Sequence, residues 1–177
     1  LSQKGVSDEV EERLLEDALA SSLSASEISS VAVAVLSKGS RPAVLALLAS
    51  PKLKDATSGE VTKALHNVVS DAKNDEELRL AAIRAHIDAC LARGEGSVVT
   101  CSALKAAYRR VLVADPARVK LVHLTGDFEL LAARIGSRQG HFMKPAMLHS
   151  QLAALEPPPD ALAVDITPPP DEIVAQI

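Results

Sequence analysis

The sequence predicts an α/β fold in which an all-helical segment, residues 1–77, precedes a parallel sheet with helices on both faces, residues 78–177. Two observations lead to this prediction. Up to residue 77, apolar residues recur at helical spacing between capping and helix-ending signals. After that point, short apolar runs alternate with amphipathic helical stretches, which is typical of parallel sheets covered on both faces. The chain therefore divides into two parts of different character.

The helical prediction for the first part depends on local signals. Ser24 and Glu27 form a capping-box pattern ahead of "ISSVAVAVLSK", and Gly39 supplies the helix end. Pro42 then opens a further helix, "AVLALLAS". One alternative stays open at residues 31–36, because "VAVAVL" alternates and is β-branched. It also fits a strand followed by the loop "SKGSRP".

Three apolar runs in the second part are the predicted strands, near residues 97–101, 119–125 and 161–166. Ligands of open parallel sheets bind beyond the carboxyl ends of the strands, which here are "TCSALK", "LTGD" and "DIT". The basic segment 134–148, "RIGSRQGHFMKPAML", follows the second strand. It also holds one of only two Phe residues in the chain. Its position predicts a flap that closes over an anionic ligand.

Composition excludes several classes of function. The formal net charge of −4 argues against a general nucleic-acid binder. The apolar runs are shorter than the roughly 20 residues that a membrane span needs. Cys90 and Cys101 lack C-x-x-C spacing, and no second Cys/His pair completes a zinc site. We therefore expect reduced thiols, no metal centre and a cytoplasmic protein.

Ordered motifs between about residues 78 and 170 carry a family resemblance. The stretches "LAAIRAHIDACLARGEGSVVTCSALKAAYRRVL", "VHLTGDFELLAARIGSRQGHFMKPAMLHSQLAALEPP" and "VDIT" contain C-S-A-L-K-x-x-Y-R, then R-x-x-x-R-x-G-H-F-M, then S-Q-x-x-x-L-E. In this order they resemble the C-terminal half of gluconokinases, small P-loop kinases of the nucleoside-monophosphate-kinase type. The resemblance implies a partial P-loop kinase fold, a parallel three-layer α/β/α sheet. It also implies ATP-dependent phosphorylation of D-gluconate to 6-phosphogluconate with Mg²⁺.

The resemblance also implies a substrate and phosphate site, without assigning a catalytic residue or a metal ligand. Arg134 and Arg138 would belong to a lid that closes over the phosphates, where guanidinium groups suit the neutralisation of charge. Ser102 and Lys105 would lie at a strand end that faces the substrate. The complete set of implied site residues is Ser102, Lys105, Arg134, Arg138, His141 and Gln151.

The phosphate-binding loop of the family is missing from the sequence. Such a kinase begins with a strand, then G-x-x-x-x-G-K-[ST], then a helix, and the loop amides cradle the phosphates. This sequence contains no Gly-Lys pair, and its nearest stretch is "SKGSRP", where Pro42 lacks a backbone donor. The acidic substrate motif that follows the loop in the family is missing as well. The family implies ATP and Mg²⁺, but these departures argue against their binding by this chain.

Without the loop strand, which lies between "SVVTC" and "KLVHL" in the family, the sheet has a gap. Either "VAVAVL" fills the gap, or the N-terminal helices cover it, or the two flanking strands pair with each other. Two hypotheses on function follow. The first is a gluconokinase-like protein that takes gluconate, is homodimeric as the family implies and is inactive as this chain alone. The second is a non-catalytic helical scaffold or binding module fused to a kinase remnant.

Overall fold

The structure is a computed structural model that describes residues 8–56, 59–137 and 145–177. Its contacts divide the chain into two compact units, Leu1–Thr100 and Cys101–Ile177. Within the described residues the first unit is helical. Its elements are α1 (Asp8–Ala20), α2 (Ala25–Lys38), α3 (Arg41–Ala49), a 3₁₀ turn (Pro51–Asp55), α4 (Gly59–Ser70) and α5 (Glu76–Arg93).

The stretch "VAVAVL" lies inside α2, so the helical prediction is confirmed and the strand alternative is wrong. The predicted capping box is present at the start of this helix. The Ser24 hydroxyl accepts from the Glu27 N–H at 3.4 Å, and the Ser24 N–H donates to Glu27 Oε2 at 2.9 Å. Ile28, Ala32 and Leu36 then recur every fourth residue and are all buried. Capping together with one buried face outweighs the β preference of the valines.

The core of the first unit lies between these helices, and α5 belongs to it. Leu47 of α3 is fully buried, and α5 packs against α3 and α4. Asp75 caps the start of α5, and Gly94 ends it in the left-handed conformation with φ of 68°. The resemblance therefore begins within a helix that packs in the first unit. The predicted domain division after residue 77 falls within α5, and it stays a prediction.

The second unit contains a small parallel sheet. Its elements are α6 (Ala106–Leu112), β1 (Val122–Thr125), α7 (Phe128–Ser137), a 3₁₀ turn (Pro145–Met147), α8 (Leu148–Ala154), β2 (Leu162–Asp165) and α9 (Pro170–Val174). The strands pair in parallel, with Val122 opposite Leu162 and Thr125 opposite Asp165. The predicted strands near 119–125 and 161–166 are thereby confirmed. The α/β class is confirmed as well.

A small apolar core joins this sheet to its helices. Val164 and Ile166 from the β2 segment pack with Ile173 of α9, and Leu130 and Leu131 of α7 pack against them. These residues lie at the carboxyl end of the sheet. The core therefore fixes α7 and α9 beside the edge where ligands of such sheets bind.

The predicted strand at residues 97–101 is wrong. This stretch has no ladder partner among the described residues, and Val98 leaves 94% of its surface exposed. A β-branched run suits a pleated surface, but a strand also needs a neighbour to supply backbone donors and acceptors. The flanking strands therefore do not pair to close the gap, and residues 31–36 do not fill it. The remaining possibility, cover by the N-terminal helices, stays a prediction.

Across the described ranges, no helix combines the length and apolar character needed to cross a membrane.

Two glycines of the second unit should respond oppositely to alanine. A Cβ at Gly126 would lie 2.9 Å from Cγ1 of the buried Ile166, whereas a Cβ at Gly136 in α7 meets nothing within 4 Å. Gly126→Ala should lower the free energy of unfolding by about 1–3 kcal/mol through overpacking. Gly136→Ala should raise it by about 0.5–1 kcal/mol, because glycine costs backbone entropy in a helix. Urea titrations measure both effects, and equal shifts for the two variants would contradict the packing described here.

Candidate functional site

Arg134 lies at the carboxyl edge of the sheet. The helix α7 that carries it begins after Asp127, whose carboxylate caps the helix by accepting from the Leu130 N–H at 2.7 Å. The Arg134 guanidinium is half-buried and donates to the Pro168 carbonyl oxygen at 3.4 Å. Arg134 therefore reaches from α7 to the segment that follows β2.

Asp165, the last residue of β2, is the acidic group of this edge. Its Oδ1 accepts from the Thr167 N–H at 2.9 Å and from the Thr167 hydroxyl at 2.7 Å. These bonds lower the pKa of the Asp165 carboxyl, and the charge of Arg134 adds a smaller effect in the same direction. Arg134 and Asp165 thus place opposite charges beside each other at the strand end.

A second group of predicted site residues lies on the loop that precedes α6. Ser102 and Lys105 are exposed there, and the Lys105 ammonium lies 5.6 Å from the centre of the Tyr108 ring. Between them, Ala103 has φ of 37°. A non-glycine residue with positive φ costs about 1–3 kcal/mol and persists only where the surroundings impose it.

Hydrogen bonds from Arg109 and Glu156 hold the backbone of that loop. Neither residue is among the predicted site residues. Arg109 is 8% exposed, and its guanidinium donates to the carbonyl oxygens of Ala103, Leu104 and Glu156 at 2.9, 2.9 and 2.7 Å. The Glu156 carboxylate accepts from the Ala106 N–H at 2.7 Å, and the Glu156 N–H donates to the Leu104 oxygen at 2.9 Å. A signal was present in the sequence, because Arg109 ends one resemblance motif and Glu156 ends another.

The start of α8 packs against the start of α7 through two stacked rings. The rings of Phe128 and His149 stack with their centroids 4.4 Å apart and their planes 29° apart. Gln151, a predicted site residue, lies half-buried on the same helix α8. The stacking pair therefore sets where the Gln151 helix lies relative to the helix that carries Arg134.

The structure supports two groups rather than one assembled site. Ser102 and Lys105 share the loop before α6, whereas the Arg134 side chain reaches from α7 to the segment after β2. Within residues 8–56, 59–137 and 145–177, no hydrogen bond or ion pair joins these residues or Gln151 to one another. Arg138 and His141, the remaining predicted site residues, lie outside the described residues.

The stretch "SKGSRP" does not fit a phosphate cradle, because the N–H groups of Gly39 and Ser40 at its centre already have partners inside the protein. The Gly39 N–H donates to the Val35 oxygen at 2.8 Å as the end of α2. The Ser40 N–H donates to Glu11 Oε2 at 3.1 Å, and the Ser40 hydroxyl caps α3 by accepting from the Ala43 N–H. The end of α2 and the Glu11 carboxylate thus occupy two of the amides that a phosphate would need.

Arg41, which lies within this stretch, forms ion pairs with acidic residues of the same unit. Arg41 donates to Asp75 at 2.8 Å and to Glu77 at 2.5 Å. Elsewhere in the described part of the chain, no group of three or more His, Cys, Asp or Glu residues is arranged to hold a metal ion. The Gly39 and Ser40 amides and the Arg41 guanidinium of this stretch therefore already have partners other than a phosphate.

The curated proteins that match this chain are gluconokinases. No family model matches the chain. The gluconokinase of Gluconobacter oxydans (strain 621H) is 48% identical over 67 residues, which are 38% of this chain and 38% of that protein. The thermosensitive gluconokinase of Escherichia coli (strain K12) is 33% identical over 129 residues, which cover 69% of each chain. The chain belongs to the gluconokinase family.

The extent of these gluconokinase matches has two consequences. The second alignment takes in more residues than 78–177 provide, so it reaches into the helical segment. The chain spans less than half the length of the first curated gluconokinases that it matches. A crystal structure of a gluconokinase from Sinorhizobium meliloti 1021 aligns with 86% of this chain and 81% of its own, at 28% identity and a TM-score of 0.47. Family membership rests on the sequence relatives.

The lowered pKa of Asp165 provides a test of the strand-end geometry. Because the pKa of Asp165 is lower in the folded chain, the bonds to Thr167 stabilise the fold at pH values above the pKa of an unfolded Asp, which is about 3.9. That stability is lost as the pH falls through the folded value. Thr167→Val should raise the Asp165 pKa by removing the hydroxyl while leaving the backbone bond, and Arg134→Met should raise it less. NMR titration of the Asp165 carboxyl carbon measures both, and a larger effect of Arg134→Met would contradict the assignment.

Proposed function

We propose that this chain carries the substrate-side elements of a gluconokinase. The reaction of the complete enzyme is transfer of the ATP γ-phosphoryl group to D-gluconate, giving 6-phosphogluconate and ADP. In this proposal Ser102 and Lys105 contact the sugar acid, and Arg134, Arg138, His141 and Gln151 belong to the phosphate and lid side. We expect the protein to act in the cytoplasm and to form homodimers, as the resemblance implies.

One observation carries the proposal: two resemblance motifs that lie far apart in sequence meet in space. Arg109 of C-S-A-L-K-x-x-Y-R donates to the backbone of Glu156, the last residue of S-Q-x-x-x-L-E. Motifs preserved by chance would have no reason to complete one another's hydrogen bonds. Their contact supports retention of a family site around the Ser102–Lys105 loop.

We further propose that this chain alone does not catalyse phosphoryl transfer to gluconate. Phosphoryl transfer depends on positioning and on preorganised charge stabilisation. The Gly39 and Ser40 amides of "SKGSRP" donate to the Val35 oxygen and to the Glu11 carboxylate, so they do not provide that stabilisation. Loss of even one preorganised donor costs about 2.7–4 kcal/mol in a well-studied enzyme, which is on the order of 10²–10³ in rate. Loss of a whole phosphate cradle costs far more by the same arithmetic.

The alternative is a non-catalytic scaffold or binding module, and the helical unit supports it. That unit has its own buried core around Leu47, completed by helix caps and by the Arg41 ion pairs. A helical binding module needs such a core to fold and to present a surface to a partner. The two proposals differ in one measurable property, the binding of gluconate.

The activity assay is a coupled measurement of ADP release with Mg-ATP and D-gluconate. We expect background turnover for this chain, with the thermosensitive gluconokinase of Escherichia coli as the active control. Turnover on the order of 1 s⁻¹ or more, within the ordinary kinase range, would show that another segment replaces the missing cradle. The inactivity proposal would then be wrong.

Anion binding tests the two lid arginines separately from turnover. We expect weak binding of inorganic phosphate, measured by NMR shifts, that Arg134→Ala reduces and Arg138→Ala abolishes, because both remove a guanidinium from the proposed phosphate side. Arg110→Ala is the matched control, since Arg110 is an exposed arginine of α6. Equal loss in all three variants would indicate only a general effect of net charge.

A further inference from the structure

The loop Cys101–Lys105 is held by a clamp made of Arg109 and Glu156. The Arg109 side chain donates three hydrogen bonds and Glu156 takes part in three, one of which is the bond between the two residues. The bonds end on Ala103, Leu104 and Ala106, which lie on both sides of Lys105. The backbone that carries Ser102 and Lys105 is therefore fixed at several successive points.

The guanidinium of Arg109 suits this position because of its shape and burial. A buried charge is stable only when its donors have partners, and three carbonyl oxygens provide them here. The two nitrogens Nη1 and Nη2 reach segments that are separate in sequence, which needs a planar fork rather than a point charge. Lysine at position 109 would keep the charge, but a single ammonium group would not reproduce the bonds from two separate nitrogens to the Ala103–Leu104 backbone and to Glu156.

Ala103 shows what the clamp holds in place. Its φ of 37° is unfavourable for a residue with a Cβ, and its carbonyl oxygen is one of the three acceptors of Arg109. Without that bond the loop gains freedom to relax to an ordinary conformation. The strained turn between Ser102 and Lys105 is thus coupled directly to Arg109.

We propose that Arg109 and Glu156 are positioning residues, which act through the Ala103 turn to present Ser102 and Lys105 to the sugar acid. This inference rests on the proposed function in naming gluconate as the ligand. Neither residue is proposed to touch the substrate. Their effect is to keep the contacting loop preformed, so that binding does not have to order it.

Amide hydrogen exchange of the full chain tests the clamp without any ligand. In Arg109→Met, exchange of the Ala106 and Glu156 amides should rise at least tenfold, and Arg109→Lys should show most of that rise. The Leu162 and Ile166 amides, bonded to Leu121 and Thr125 in the sheet, report the stability of the rest of this unit and should change less than twofold.

A control variant and one further pair of variants sharpen this measurement. Arg110→Met changes the neighbouring exposed arginine in the same way and should leave every amide unchanged. Glu156→Gln retains an acceptor for the Ala106 N–H and should have a small effect, whereas Glu156→Ala should raise Ala106 exchange strongly. A uniform rise over loop and sheet amides would show that Arg109 only stabilises the unit. No rise at the loop would show that the clamp does not hold it.

Gluconate binding then tests what the clamp is for. Addition of D-gluconate should shift the Ser102 and Lys105 amide signals in the wild-type chain and in Arg110→Met, with at least tenfold weaker affinity in Arg109→Met. Absence of binding in the wild-type chain would overturn the substrate role together with the proposed function, while the exchange data still decide the clamp. Equal affinity in wild-type and Arg109→Met would overturn the positioning role alone.

Discussion

The conformation of the loop before α6 depends on the buried guanidinium of Arg109. It connects the loop before α6 to the chain after α8, two segments that meet only through tertiary structure. A buried charge tolerates few alternatives, because any arrangement that leaves its donors unpaired costs several kcal/mol. The bonds therefore select one conformation of the loop, and the acidic cap that Glu156 provides for α6 follows from that choice.

The helical elements were predictable because their signals are local. Ser24 and Glu27 fix the start of α2 within four residues of sequence, and Gly94 ends α5 by a conformation that glycine adopts without strain. The strand at 97–101 was not predictable by the same means. A run such as "SVVTC" states a preference, but the presence or absence of a neighbouring strand is decided elsewhere in the chain.

The candidate site divides in the same way. Motif order identified Ser102, Lys105 and Arg134, which the structure places at the loop before α6 and at the sheet edge. The roles of Arg109 and Glu156 became visible only in the structure, since single-sequence spacing does not show that residues 47 positions apart share a hydrogen bond. Residues that hold a loop are less visible in sequence than residues that carry its charge.

The exposed stretch around Val98 has a consequence for the behaviour of the chain in concentrated solution. Two adjacent valines in irregular backbone, with Val98 almost fully open to solvent, form a template onto which a strand from another molecule can add. Within the described residues, β1 and β2 are both edge strands and so offer similar unpaired backbone groups. Natural sheets protect such edges with charged residues or proline. A lysine in place of Val98 would supply that protection and slow self-association at high protein concentration.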